Sequence, residues 1–258
     1  MKKVFLILTL LAILSAKGQY VTFLKETNTQ LEDVLYLDRF GNKYGLLKKQ
    51  FVCESEDQKL QFFAELLYGN PTLVDGKSPL RILIFYADFQ TAVLTDNQMN
   101  STEKIDFKSI ENRQVTWVAI STQNQLWFYD ELSQKIGLHN ILTNKTRWQT
   151  TPLLKPKEFY SNYNSVYFEN EKAELIKISQ NGNQKKLGLI PQHEEIKIIS
   201  DSTILLINNN KLSVFNLNTK KQTELITSEK SIKDFFINGD ILSIFTEDKI
   251  MNYKLNLL

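Results

Sequence analysis

The chain has 258 residues, 42% of them hydrophobic, with 31 Lys and Arg against 29 Asp and Glu and a single cysteine. That is enough apolar material for one large domain with its own core, and no Pro/Gly/Ser-rich linker divides it. Near-balanced charge gives no electrostatic pull toward nucleic acid or an anionic membrane, and the lone Cys53 rules out an internal disulfide framework.

Lys2 and Lys3 precede the apolar run Val4 to Leu14, and Ala16-Lys17-Gly18 then places small residues ahead of Gln19. This is the pattern of a secretory signal peptide over residues 1–18, with an apolar stretch too short to cross a bilayer. No cysteine follows the cleavage site to carry a lipid. The expected mature chain is 19–258, without a membrane span, and losing Lys2, Lys3 and Lys17 leaves 28 basic against 29 acidic groups. Export to the periplasm is the expectation, with the cell surface or the medium as alternatives. The chain ends in a strand-like repeat, which leaves no room for a C-terminal sorting domain of the kind type IX secretion uses.

Tyr20 to Lys25 reads as a strand that precedes the first hairpin. Val34–Leu37 followed by Tyr44–Lys48 is a loose hairpin, and Cys53 just beyond it has the character of a buried, inert thiol. Between Phe51 and Gly76 the pattern weakens. Leu60, Phe63, Ala64 and Leu67 fall at helical spacing while Leu60, Phe62, Ala64 and Leu66 alternate; strand is the preferred reading, with Asn70-Pro71 and Asp75-Gly76 as turn signals beyond it. Pro79 stands at the entrance of the next strand, where a missing donor does least harm. Ile82–Tyr86 with Ala92–Asp96 makes a second hairpin, and Trp117–Ile120 with Leu126–Asp130 a third. Val166–Phe168 with Leu175–Ile178 is the fourth, followed by Asn181-Gly182 as a tight-turn signal. The clearest copy is Ile204–Ile207, then Asn208-Asn209-Asn210, then Leu212–Leu217, because Asn tolerates the left-handed backbone of tight turns. Apolar residues occupy both faces of its second strand, so both faces are expected to be covered. Ile241–Phe245, Thr246-Glu247-Asp248 and Lys249–Asn256 close the series.

Anchor residues in the second strand of each hairpin, Tyr44, Ala92, Leu126, Leu175, Leu212 and Ile250, recur about every 41 residues, the period of a four-stranded propeller blade. A β-sandwich would explain the strands but not the period. The chain therefore resembles the β-propeller superfold, in the sense shared by the WD40, NHL and quinoprotein-like groups. No tryptophan is followed by Asp, and no Gly-His mark is present, so the resemblance is one of architecture and carries no family residues with it. Composition and leader resemble exported proteins of Bacteroidetes-type bacteria. The expected fold is all-β: one propeller of about six blades, in which Val21–Leu24 pairs beside Ile250–Leu255 so that both termini build one blade.

Chemistry-bearing motifs are absent: no His-Glu-x-x-His, no Gly-x-Ser-x-Gly, no phosphate-binding glycine loop and no paired-cysteine zinc spacing. His139 and His193, the latter beside Glu194 and Glu195, read as structural and solvated positions respectively, and Asn181-Gly182-Asn183 lacks the carboxylates of a calcium loop. No catalytic, cofactor-binding or metal-ligating residue is assigned, and no cofactor is expected. Trp117, Trp127, Phe128, Tyr129, Trp148, Tyr160, Tyr163, Tyr167 and Phe168 are read mainly as core, the remainder as a surface for a peptide or glycan. Asn100-Ser101-Thr102 and Asn144-Lys145-Thr146 have the form of N-glycosylation sequons, and Asp201-Ser202-Thr203 that of a short O-glycosylation motif. The expected function is a non-enzymatic exported scaffold that binds a protein partner. The alternative is a carbohydrate-active or other hydrolytic propeller, which needs Asp, Glu or His gathered at one mouth of the central channel; Leu, Ser and Asn there would exclude it.

Overall fold

Alternation along the strands sends neighbouring residues into different cores. In the hairpin 203–216, Leu205, Ile207 and Leu212 pack toward one side, while Ile204, Leu206 and Phe215 pack toward the other. A sheet apolar on both faces must be covered twice, which a ring of stacked sheets achieves without any helix. The computed structural model describes residues 20–63, 68–78, 80–110, 113–122, 124–153, 156–227, 231–247 and 249–256. The signal-peptide reading of residues 1–18, the strand-entrance role of Pro79 and the alternation at 64–67 lie outside them.

All regular elements among these residues are strands. The first is β1 (Val21–Asn28). Blade 1 follows as β2 (Asp33–Leu37), β3 (Lys43–Leu47), β4 (Gln50–Glu54) and β5 (Leu60–Phe62). Blade 2 is β6 (Leu73–Ser78), β7 (Arg81–Tyr86), β8 (Thr91–Thr95) and β9 (Ser101–Asp106). Blade 3 is β10 (Val115–Ile120), β11 (Gln125–Asp130), β12 (Lys135–Asn140) and β13 (Lys145–Trp148). Blade 4 is β14 (Lys157–Ser161), β15 (Ser165–Glu169), β16 (Glu174–Ser179) and β17 (Gln184–Leu189). Blade 5 is β18 (Glu195–Ile198), β19 (Thr203–Asn208), β20 (Lys211–Asn216) and β21 (Lys221–Glu224), and β22 (Asp234–Asn238), β23 (Ile241–Phe245) and β24 (Lys249–Leu255) begin the last blade. Each blade is a four-stranded antiparallel meander, and the last is completed by β1, in the order β1-β24-β23-β22. The chain folds as a six-bladed β-propeller closed by strands from both ends.

The expected closure register is present: Val21 faces Leu255, Phe23 faces Tyr253 and Asn28 faces Lys249, with a bulge at Leu24. The hairpin at Asn208 is a two-residue turn with Asn209 at φ 50° and Asn210 at φ 59°, and Asn181-Gly182 lies in the β16–β17 turn, with Gly182 at φ 79°. Leu60–Phe62 is strand, as preferred. Two expectations need correction. Asp75-Gly76 is not a turn but part of β6, at a bulge between Asp75 and Ser78. The repeating hairpin is also not the same hairpin throughout: Tyr44 and Leu126 sit on the second strand of their blades, whereas Ala92, Leu175, Leu212 and Ile250 sit on the third. Measured on third strands, which begin at Gln50, Thr91, Lys135, Glu174, Lys211 and Lys249, the intervals are 41, 44, 39, 37 and 38 residues.

Six apolar clusters occupy the six joints between blades. Cys53 belongs to the joint between blades 1 and 2; it is buried, and burial pushes its thiol up to about 11, which keeps it protonated and inert.

Candidate binding channel

The first strand of each blade, β2, β6, β10, β14, β18 and β22, faces the ring axis, and together they enclose a channel of about 630 Å³. Its wall is unusually aromatic. Tyr36, Phe159, Tyr160 and Phe236 line it while only half-buried, and Trp117 stands behind Phe159 with ring centroids 5.1 Å apart, stacked at 27°. Tyr36 and Phe236 meet edge to face at 6.4 Å across the joint between blades 1 and 6. Gly76 makes room for this: a Cβ there would sit 2.8 Å from Cε1 of Tyr36.

The charged side chains that line the channel wall each have a partner of opposite sign. At the mouth formed by the ends of the first strands, Asp75 accepts from the Lys77 ammonium at 3.0 Å and from the Ile120 amide at 2.7 Å. Lys77 also donates to Ser161 Oγ at 2.6 Å and to the Ile120 carbonyl at 3.0 Å, so one side chain ties blades 2, 3 and 4 together. Tyr163 donates to the Lys77 carbonyl at 2.9 Å. Asp201 accepts from Lys177 at 2.8 Å and from the Tyr167 hydroxyl at 2.9 Å. By contrast, the Tyr36 hydroxyl has no hydrogen-bond partner among the described residues. Burial, with Asp75 and Asp38 nearby, pushes its phenol far above the ordinary range, so it stays a proton donor.

The opposite mouth, at the starts of the first strands, gathers carboxylates. Lys197 Nζ lies 2.5 Å from Glu195 and 3.7 Å from Asp234, and 5.3 Å above the ring of Phe236. Tyr160 donates to Glu158 at 2.8 Å. Burial, reinforced by Glu195 and opposed by Lys197, pushes Asp234 up to about 6. Among the described residues no group of three His, Cys, Asp or Glu is placed to hold a metal ion.

No protein-family model matches the chain, and no curated protein does. Solved structures match it in shape. The catalytically inactive virginiamycin B lyase of Staphylococcus aureus with quinupristin aligns with a TM-score of 0.61 at 13% identity, over 91% of this chain and 99% of that one. A member of the DUF4221 family from Bacteroides vulgatus gives 0.59 at 10% identity, over 92% and 98%. The extracellular domain of BT4673 from B. thetaiotaomicron gives 0.55 at 10% identity, over 86% of this chain and 32% of that one. At these identities the shared property is the propeller fold.

The residues singled out from sequence scatter. His139 is buried in β12; burial and the nearby Arg113 push its imidazole down, and Nδ1 meets Thr146 Oγ1 at 3.1 Å. His193 lies in another place, the connection from blade 4 to blade 5, with Nε2 at 3.2 Å from Glu169 and Nδ1 at 2.8 Å from the Pro191 carbonyl. It is therefore a half-buried, bonded residue rather than a solvated one. Trp127, Phe128, Tyr129, Tyr167 and Phe168 are buried between blades, as read from sequence, whereas Trp148 and Tyr163 are partly exposed. Asn100 spends its amide on Asp96 at 3.0 Å, and Asp201 of the short glycosylation motif serves the channel mouth instead. Sequence reasoning missed Tyr36, Asp75, Lys77, Phe159, Lys197, Asp234 and Phe236. Their common signal was position on the first strand of a blade, visible only once the repeat is registered on third strands.

Proposed function

We propose that the chain is an exported, non-enzymatic binding propeller of the cell envelope, which holds its partner at the central channel. The half-buried aromatic wall carries this reading: aromatic surface left uncovered inside a rigid ring is contact area available at low entropic cost, while each charged group beside it already has a partner. The leader-like residues 1–18 support export. Photo-crosslinking from a benzoylphenylalanine placed at Phe236, in cells of the host, tests it. The expected result is a defined adduct in the envelope fraction and none from the same probe at Glu103 on the exposed strand β9. Adducts of equal yield from both positions, or retention of the uncleaved chain in the cytoplasm, would contradict it.

A second reading, a hydrolytic propeller, is favoured by one observation: Glu158, Glu195 and Asp234 share a mouth, with Asp234 poised to hold a proton near pH 6. The opposite mouth, with Ser161, Asn162 and Ser200 beside paired charges, has the composition of a binding site. Hydrolysis of any glycoside or ester that is lost in Asp234→Asn but retained in Phe236→Ala would establish the hydrolytic reading.

A further inference from the structure

We infer that the channel takes a neutral oligosaccharide, stacked on Tyr36, Phe159 and Phe236, an inference that rests on the binding reading above. Three features of the channel select this chemistry. First, its charged groups are neutralised from within: Asp75 by Lys77 at 3.0 Å, Asp201 by Lys177 at 2.8 Å, and Lys197 by Glu195 at 2.5 Å. An anionic ligand would have to break one of these pairs or lie beside a like charge, and a cationic one would be drawn to Glu158, Glu195 and Asp234 at the rim rather than to the channel wall, whereas an uncharged one disturbs none of the pairs. Second, the aromatic wall is flanked at one mouth by short polar side chains, Ser161, Asn162 and Ser200 among them. A pyranose presents the matching pattern, apolar C–H faces with hydroxyls at the rim, so that stacking and hydrogen bonding are satisfied together. Ser161 already accepts from Lys77 at 2.6 Å, Asn162 accepts from the Ser165 amide at 2.8 Å and Ser200 meets Ser202 at 3.3 Å, so a purely apolar ligand would strip water only from their remaining hydrogen-bonding capacity, which sugar hydroxyls can fill. Third, the Tyr36 hydroxyl is a donor without a partner among the described residues, on a ring held in place by Phe236 and Tyr44, each with its ring centroid 6.4 Å away. A sugar hydroxyl, both donor and acceptor, completes it. The volume of about 630 Å³ lies within the range of small-molecule sites and admits a short oligosaccharide rather than a single ring.

The test is a glycan array of neutral hexose, N-acetylhexosamine and deoxyhexose oligosaccharides, with uronic-acid oligosaccharides and an uncharged capped tetrapeptide as competitors, followed by calorimetric titration of the best neutral glycan. The expected result is saturable binding with Kd of about 1 mM or tighter. Phe236→Ala should weaken it about tenfold. Tyr36→Phe keeps the ring and removes only the donor, and should weaken it about three- to tenfold. Both variants are checked for an unchanged denaturation midpoint, and Tyr36→Phe serves if Phe236→Ala fails to fold. No retained neutral glycan, binding indifferent to Tyr36→Phe, or displacement by the uronic-acid or peptide competitor would each overturn the inference. If the array fails while crosslinking from Phe236 still succeeds, only the ligand class is wrong; if both fail, the binding reading falls with it.

Discussion

The joint between blades 2 and 3 and the seam between blades 6 and 1 do the same job with different materials. The first buries eleven apolar residues, with Phe107 packed between Phe85 at 6.1 Å and Phe128 at 5.7 Å. Its polar contact is equally tight: the Gln90 side chain donates to the Val115 carbonyl at 2.8 Å and accepts from the Val115 amide at 2.6 Å. At the seam, the described residues supply a buried cluster of only Leu37, Phe245 and Ile250, and a cavity of about 250 Å³ remains between Leu24, Leu37, Phe40 and Ile250. Polar bonds take over there. Asn238 donates across the seam to the Leu37 carbonyl at 2.7 Å, and on the blade 6 side of the cavity Ser243 donates to Asn252 at 2.6 Å. Buried Glu54 accepts from Lys43 at 2.5 Å and from the Gln30 amide and Thr29 hydroxyl, fixing the segment that leads from β1 into blade 1. Side-chain packing is therefore the glue of the joint between blades 2 and 3, whereas the thinner joint between blades 6 and 1 is backed by the pairing of β1 with β24 inside blade 6, which ties blade 1 to that blade through residues 29–32.

The strongest way to break that contrast is to delete residues 20–28. Seven paired positions are lost together with the burial of Val21, so the whole domain should lose about 4 kcal/mol or more in a cooperative denaturant transition. An unchanged midpoint would show that the thin seam holds without its backbone clasp. Next in size is Phe107→Ala, which should cost about 3–5 kcal/mol because Phe107 is fully buried between two rings. Ile250→Ala at the seam should cost less, about 2–3 kcal/mol, since a cavity already borders it. Equal losses at the two sites would erase the difference between joint and seam. Glu54→Gln strands the Lys43 ammonium in a buried position and should cost about 3 kcal/mol; Lys43→Met combined with Glu54→Gln should recover much of it if the pair, not the packing, is responsible.

The smallest effect concerns pH. Asp234 has its proton affinity raised in the folded state to about 6, above its value of 3.8 when free. Between those values the folded chain binds more protons than the unfolded one, so this residue's contribution to stability is present below about pH 4 and is lost as pH rises through about 6. Denaturation midpoints from pH 4 to 7 should fall less steeply in Asp234→Asn than in the parent. Parallel curves would mean that Asp234 is not desolvated at the blade 5–blade 6 mouth.

Much of the ring was legible before any coordinates because blade strands carry local signals. Thr203–Asn216 shows two alternating apolar runs and an Asn-Asn turn, and each feature has its own short-range cause. Where the local signal failed, tertiary packing had overruled it. Lys48 and Lys49 form the turn between β3 and β4 at φ 50° and 62°, a backbone that lysine does not advertise, so the second hairpin of blade 1 went unseen and the repeat was registered on the wrong strands there. Asp75-Gly76 looks like a turn in isolation. It is held in β6 because the Asp75 carboxylate has Lys77 and the Ile120 amide to bond, and because Gly76 lies under the Tyr36 ring.

The sequence by itself determined the strand content, the repeat, the all-β class and the complementarity of the two ends, since these follow from alternation, turn chemistry and spacing, which act within a few residues. Only the tertiary structure decided which side chains share the channel. Tyr36, Asp75, Phe159, Lys197 and Phe236 come from five different blades and meet only because ring closure brings the first strand of each to the axis. Their proximity is set by the number of blades and the stagger of the sheets, properties of the closed ring that no stretch of a few residues encodes.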